Sequence, residues 1–362
     1  MAADAVAPAG PPAAEAPAGR APGARAGLGA PLALLAAALA GAMLAGVAAG
    51  ATPIDPWDVW RILANRAWPD LYAPDWPLAR ERIVWELRAP RAVLGALAGA
   101  GLAMAGTALQ ATTRNALADP FLLGVSAGAA LGAVAVITQT GDVLGVHTLP
   151  LAAFAGGLGS LALLVGALGR DGAGAPERVV LAGVAVSFIL MAATNLLIFL
   201  GDQRAAHAVV FWMLGGLGRA SWPVLWVPGL GVAVGGLWLM ARARTLNALS
   251  MGDETAAALG VPVARTRIEI LVVSALITSL LVALTGAIGF IGLVVPHLAR
   301  AFVGGDNRRV LPVAALGGAI LMVAVDVGAR LVVAPQEAPV GVLTGAIGGA
   351  WFLWLTARGA AR

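Results

Sequence analysis

The sequence predicts an all-α fold: a polytopic membrane bundle of about ten spanning helices. Three observations carry that prediction. Of the 362 residues, 60% are hydrophobic and only 12% are charged, about half the charge of a typical soluble domain. The apolar residues fall into long runs, most of them near the ~20 residues a helix needs to cross a bilayer. Glycines recur four apart inside those runs, at 95 and 99, at 128 and 132, and at 341, 345 and 349. That spacing lets helix backbones approach closely in lipid.

Residues 1–30 form an Ala/Pro/Gly-rich tail with Arg20 and Arg25. It has too little apolar surface to fold alone and is expected to be a disordered cytoplasmic tail. Residues 31–51 follow as a Leu/Ala-rich run. Ala49 and Ala51 resemble a cleavage site, but the run exceeds the ~7–15 residues of a signal-peptide core, so it reads as a retained first helix. The polar stretch 52–90 reads as an outer loop. Further spans are predicted at 91–111, 121–138, 147–168, 179–200, 222–241, 268–287, 289–303, 310–332 and 340–357. Together they make one transmembrane domain over 31–358. The segment 289–303 is short and contains Pro296, so it is expected to tilt or to be buried against protein neighbours.

The chain contains no lysine; its cations are arginines. With the N-terminus inside, fourteen arginines fall in inner segments: 20, 25, 114, 170, 178, 242, 244, 265, 267, 300, 308, 309, 358 and 362. Arg204, Arg219 and Arg330 are the outer ones beyond the first loop. The positive-inside rule therefore places both termini in the cytoplasm. The first outer loop is an exception, with Arg61, Arg66, Arg80, Arg82, Arg88 and Arg91 offset by six acids.

Three connections stand out. In 201–221, the stretch HAVVFWMLGGLG is too short to span and reads as a surface helix at the membrane. The long inner loop 242–267 predicts a short helix. Ser250 or Gly252 would cap it, Asp253 and Glu254 would fill its first turn, and Gly260 with Pro262 would end it. Residues 169–178 read as a tight inner loop.

Several chemistries are excluded. A phosphate-binding P-loop needs a lysine, so any ATP hydrolysis must come from another subunit. Without cysteine there are no disulfides or thiolate metal sites. No paired catalytic carboxylates, zinc motif or nucleophile triad is evident, and the scattered arginines are no nucleic-acid footprint. His297, one of three histidines, reads as structural rather than as a proton relay or metal ligand. Asp326 and Arg330, four apart, read as a local pair in preference to a proton-coupling site. Thr194 and Asn195 either line a polar path or bond a neighbouring helix.

The stretch GAIGFIGLVVPHLARAFVGGDNRRVLP, residues 286–312, carries glycines three apart, a Pro-His pair and an arginine cluster. It resembles a signature of the permease subunits of ATP-binding-cassette importers for iron-siderophore, heme and cobalamin. Further blocks strengthen the likeness: 86–133, VVLAGVAVS at 179–187, FWMLGGLG at 211–218, LNALSMGDETAAALGVPV at 246–263 and PVGVLTGAIGGAWFLWL at 339–355. The resemblance covers residues 82–358.

This likeness implies a ten-helix, cobalamin-importer-permease-like bundle in the bacterial inner membrane. It implies a second permease subunit, expected as a homodimer, two ATPase subunits and a periplasmic binding protein, with no cofactor and no metal. Arg88 and Arg330 would dock acids of the binding protein. Leu249, Met251, Gly252, Asp253, Glu254, Ala257, Leu259 and Gly260 would form the segment that couples to the ATPase. The fifth and tenth helices would line the pathway, with a gate at 175–178. Here the chain departs from relatives with small hydroxyl residues, because it carries Pro176 and Glu177. The implied cargo is an iron chelate, heme or ferric siderophore, with cobalamin as the alternative. An ion-coupled secondary transporter would need an internal repeat and intramembrane acids, which the sequence does not supply beyond Asp326.

Overall fold

Each apolar segment read from the sequence is helical in the computed structural model, which describes residues 28–172 and 175–359. The tail up to residue 27 lies outside the described residues, as do residues 173 and 174 of the loop at 169–178. Inner and outer label the two ends of the bundle as the arginine count orients them.

α1 (Gly29–Ala48) is followed by two short helices, α2 (Pro56–Ala67) and α3 (Leu78–Arg82). α3 runs through a π-helical turn, Ile83–Arg88, into α4 (Ala89–Thr113), making one run of 36 residues. A 3-10 turn, Pro120–Leu123, precedes α5 (Val125–Ala135), which continues as a π-helical turn to Thr140. α6 (Thr148–Gly172), α7 (Pro176–Leu200), α8 (Gln203–Met213) and α9 (Trp222–Ala241) follow. α10 (Ala243–Ser250) and α11 (Asp253–Ala258) lie at the inner end. α12 (Val263–Thr285), α13 (Ile291–Val303), α14 (Asn307–Leu331) and α15 (Val340–Gly359) complete the bundle. Among the described residues, eight helices are long and apolar enough to cross a membrane. Val125–Thr140 and Ile291–Val303 are shorter, so the third segment joins the eighth in being short. The chain is a multi-pass membrane protein.

α4 is the axis of the fold, buried along most of its length, whereas α1, α7 and α15 are peripheral. Composition explains this placement. α4 is built of Ala, Gly and Thr, and the hydroxyls of Thr107, Thr112 and Thr113 donate to carbonyls one turn back at 2.7–2.8 Å. A helix so thin and internally satisfied lets neighbours touch its backbone. Gly99 meets the backbone of Gly318 on α14, and Gly106 meets Gly292 on α13. Gly128 and Gly132 meet Gly156 and Ala152 on α6 in the same way. Gly345 and Gly349 on α15 have open space instead.

The stretch 52–90 is a built module rather than an open loop. Asp55 caps α2 through a 2.8 Å bond from the Trp57 amide. Val59 and Ile62 bury against Val47 at the end of α1 and Val84 and Ala92 on the α4 run. Its charges neutralise one another: Arg61 pairs with Asp58 and Asp75, Arg80 with Asp58, and Arg66 with Glu81. The Arg61 bond, ahead of the others, holds the Asp58 carboxyl below its ordinary range.

α8 is the short helix expected at 201–221, with His207, Val210, Phe211 and Met213 exposed. It buries Val209 and Trp212, and the chain just beyond it is stitched into the bundle. The Gly216 amide donates to Thr285 at 2.8 Å, and those of Val340 and Gly341 donate to Gly215 and Leu214 at 3.1 Å. The apolar run was legible; how it is anchored depends on backbone partners 69 to 127 residues away.

Candidate functional site

Three breaks in the helical pattern converge on one cavity of about 440 Å³. They are the connector 114–124, the residues after α8, and the irregular stretch 286–290 between α12 and α13. α15 lines one side of the cavity with Gly341, Val342 and Gly345. Non-helical backbone at membrane depth is tolerated where it lines such a space. Phe290 is held in the left-handed region (φ 69°), and its ring lies on Gly348 of α15. A bulky residue there is strained by about 1 kcal/mol or more. The fold keeps this strain where a ring spans from α13 to α15.

The walls are apolar apart from Asp119, which the sequence analysis did not single out. Its Oδ1 accepts the Phe121 amide at 2.8 Å and caps the 3-10 turn. Its Oδ2 is buried without a hydrogen-bond partner, beside Gly292. Burial pushes the carboxyl up to about 6, against the lowering effect of the Phe121 bond. Only the Asp-Pro turn signal could have marked this residue. Its burial depends on α13 closing over it.

The raised value makes a prediction. From about pH 4 to about pH 6, folded Asp119 keeps a proton that the unfolded chain has released, so stability falls as pH rises. The purified protein is expected to melt higher at about pH 4.5 than at about pH 7.5. Asp119→Asn keeps the Oδ1 cap and should abolish that part of the difference; an unchanged pH dependence of Tm would contradict it.

The two short spans are joined to α4 by side chains as well as glycines. Gln110 Nε2 donates to Leu293 O at 3.2 Å, and Arg300 donates to Gln110 Oε1. His297 is half-buried on the same helix. Among the described residues, no group of three or more His, Asp or Glu side chains is placed to hold a metal.

Arg88 and Arg330 come together at the outer end, but not as free surface cations. Both are buried, 8% and 6% exposed. Arg88 Nη1 donates to Val47 O and Ala48 O at 3.0 and 2.9 Å, and Nη2 to Thr52 O at 2.7 Å. Arg330 Nη1 and Nη2 donate to Ala49 O and Gly46 O at 2.7 Å. Two guanidiniums thus satisfy the orphan carbonyls at the C-terminus of α1, the negative end of its dipole. These bonds give both arginines a structural role beside the docking role expected of them, and both line a pocket at the rim with Arg91 and Glu337. The Asp326–Arg330 pair is present at 3.2 Å. Arg91, whose part the sequence did not reveal, bonds Asp326 at 2.9 Å and Glu337 at 2.7 Å. Arg219 remains exposed on this rim.

At the inner end, the predicted short helix is α11. Gly252 precedes it at φ 115°, a conformation that glycine adopts freely. Ser250 is not the cap, because its hydroxyl donates to Leu246 O within α10. Asp253 and Glu254 occupy the first turn, and Gly260 follows the helix at φ 82°. Leu249 is buried, whereas Met251, Glu254, Ala257, Leu259 and Gly260 are exposed. Exposed methionine and leucine outside the spans make an apolar contact surface.

The gate and pathway residues sit on α7. Pro176 and Glu177 are its first two residues, an arrangement that suits a proline. Thr194 is buried, with its hydroxyl bonded to Leu190 O at 2.8 Å, while Asn195 is exposed on the protomer surface. The structure therefore separates the two: only Asn195 offers a free-facing polar group.

Known proteins share both sequence and architecture with this chain. The FecCD transport family model matches residues 36–358. The hemin transport system permease protein HmuU of Yersinia pestis is 41% identical over 279 residues, 76% of this chain and 83% of that protein. The Fe(3+) dicitrate permease FecD of Escherichia coli is 40% identical, over 78% of this chain and 88% of its own. The cobalamin permease BtuC of Halobacterium salinarum is 41% identical, over 77% and 74%. A solved structure described as a metal-chelate type ABC transporter in an inward-facing conformation superposes with a TM-score of 0.79 at 27% identity. It covers 91% of this chain and 99% of that one. A lysine-free helical bundle with this cavity, and with these relatives across nearly its whole span, belongs to the FecCD transport family: it is the non-enzymatic permease subunit of an ATP-binding-cassette transporter, which works with a separate ATPase and a substrate-binding partner.

Proposed function

We propose that the chain forms a homodimeric pathway in the bacterial inner membrane that carries an iron chelate, hemin or a ferric siderophore, from periplasm to cytoplasm. Two ATPase subunits drive it, and both termini face the cytoplasm. The carrying observation is the apolar cavity beside α15 in a chain 41% identical to a hemin permease. A flat apolar chelate needs a wide path with weak contacts, because it must leave again. Exposed apolar side chains on α7 (Phe188, Ile189) and α15 (Ile347, Trp354) suit a second protomer across that path, with Asn195, Pro176 and Glu177 along it. The equally similar cobalamin permease makes cobalamin the second reading. An ion-coupled mechanism loses its candidate acid, because Asp326 is held by two arginines.

The binding protein would dock on the outer rim at Arg88 and Arg330, which line a pocket there, with exposed Arg219 and Glu337 beside them. The ATPase would grip the Met251–Gly260 surface. Reconstituted with its ATPase and binding protein, the permease should show vanadate-sensitive uptake of hemin, and cyanocobalamin serves as the competing cargo. The purified chain alone should hydrolyse no ATP. Ala257→Pro should cost α11 roughly 3 kcal/mol and strip uptake from a permease that still inserts. Uptake indifferent to vanadate but driven by an ion gradient would overturn the importer reading.

A further inference from the structure

At the inner end, one fully buried cation is joined to the α10–α11 segment. Arg267, in the first turns of α12, has no exposed side-chain surface. Its Nη2 donates to Asp253 Oδ1 at 2.8 Å. Asp253 is the first residue of α11, and 28% of its side chain is exposed. Arg114, in the left-handed conformation that ends α4, reaches the same carboxylate oxygen at 3.9 Å. One carboxylate of the short helix therefore meets the inner ends of two core helices.

A second tie lies one helix earlier. Asn247 of α10 donates from Nδ2 to Asp306 Oδ1 at 2.7 Å. Its Oδ1 accepts both the backbone amide and the Nδ2 of Asn307, at 2.8 and 2.9 Å. Asp306 is itself the N-cap of α14, bonded to the Arg308 amide at 3.0 Å. The Asn247 amide is thus wired into the first turn of α14. Leu246 and Leu249 bury in the core cluster between the two ties. Both α12 and α14 then run the depth of the bundle. α12 ends at the irregular stretch 286–290 that lines the cavity, and α14 is in backbone contact with α4.

We propose that Asp253–Arg267 and Asn247–Asp306–Asn307 are transmission joints that make α10 and α11 a rigid extension of α12 and α14, so that a push on the short helices is delivered to the cavity wall. This rests on the reading of 249–260 as the ATPase contact. A buried arginine suits the task. Its planar fork fixes direction as well as distance, which a lysine point charge does not. Two polar ties at separate points also prevent rotation about either one. These are positioning residues, since neither touches cargo or nucleotide.

The test uses the reconstituted complex with hemin as cargo probe, and the natural absence of cysteine. Spin labels at Arg244→Cys and Ala324→Cys, both exposed positions, report the separation of α10 from α14 without any cargo. In the parent protein, that separation should be the same nucleotide-free and vanadate-trapped. Arg267→Gln at the buried end of one joint, and Asn247→Ala at the other, should broaden it. Each should lower hemin uptake per ATP hydrolysed about tenfold, with ATPase binding retained. Arg267→Lys should fall between. Ala257→Pro separates the two ideas. If it leaves uptake and ATPase binding normal, the contact reading fails. If it uncouples the complex while the joint variants keep both the sharp label separation and normal uptake per ATP, the joints are overturned. A joint variant that only lowers Tm is structural and counts against the proposal.

Discussion

Replacing Arg330 with glutamate is expected to prevent correct assembly of the permease rather than merely weaken a docking contact. The guanidinium is 6% exposed, holds two carbonyls of α1 at 2.7 Å and pairs with Asp326. Removing one partner of a buried pair costs about 3–5 kcal/mol. Glutamate does more, because it sets a second carboxylate beside Asp326 and against carbonyl oxygens. That loss rivals the whole ~5–15 kcal/mol stability of a typical domain. Well-folded protein extracted from membranes should drop to a small fraction of the parent level. Arg330→Lys should be intermediate, since a single ammonium does not span both carbonyls as the fork does. The rival expectation, a direct bond to an acid of the binding protein, predicts normal folding and a salt-dependent loss of docking that a partner charge reversal restores. Size-exclusion profiles and a double-mutant cycle at low and high salt decide between the two.

Gly106→Ala is expected to be nearly as damaging, although it adds one methyl group. That methyl would overlap the carbonyl oxygen of Gly292, and the obstacle is backbone, so no side chain can swing aside. α4 and α13 would have to separate, stretching the Gln110 bond to Leu293 O and uncovering Asp119. Overpacking of this kind costs about 1–3 kcal/mol where side chains can yield, and more where they cannot. A fall in Tm with loss of uptake is the expected outcome. Gly349→Ala, whose added methyl meets nothing, is the control and should fold normally. If Gly106→Ala melts like its parent, the backbone contact between α4 and α13 is not a structural requirement.

The sequence revealed what local pattern encodes. Hydropathy located the spans, glycine spacing marked the close seams of α4 and α5, and the Gly252–Gly260 punctuation marked α11. The same spacing on α15 was ambiguous, because glycine periodicity does not say whether a neighbour exists. What stayed hidden depends on contacts far apart in the chain. Arg91 meets Asp326 across 235 residues, and Asn247 meets Asn307 across 60. Asp119 reads as an ordinary turn residue until α13 covers it. Arg88 and Arg330 read as outer-face cations, which they are by position, yet the carbonyls of α1 turn them inward.

The arginine clamp on α1 also sets an order of events during synthesis. The residues it joins, Gly46 and Arg330, are 284 apart in the chain. At ~5–20 residues per second, the ribosome needs roughly fifteen to sixty seconds to make the second after the first. Arg88 follows Val47 by only 41 residues and reaches the end of α1 within roughly two to eight seconds at the same speed. The first helix thus enters the bilayer with a provisional clasp and waits for the ninth span to close it. A nascent chain truncated before α14 should retain α1 in a protease-sensitive, loosely held state, and α1 should become protected only when Arg330 emerges.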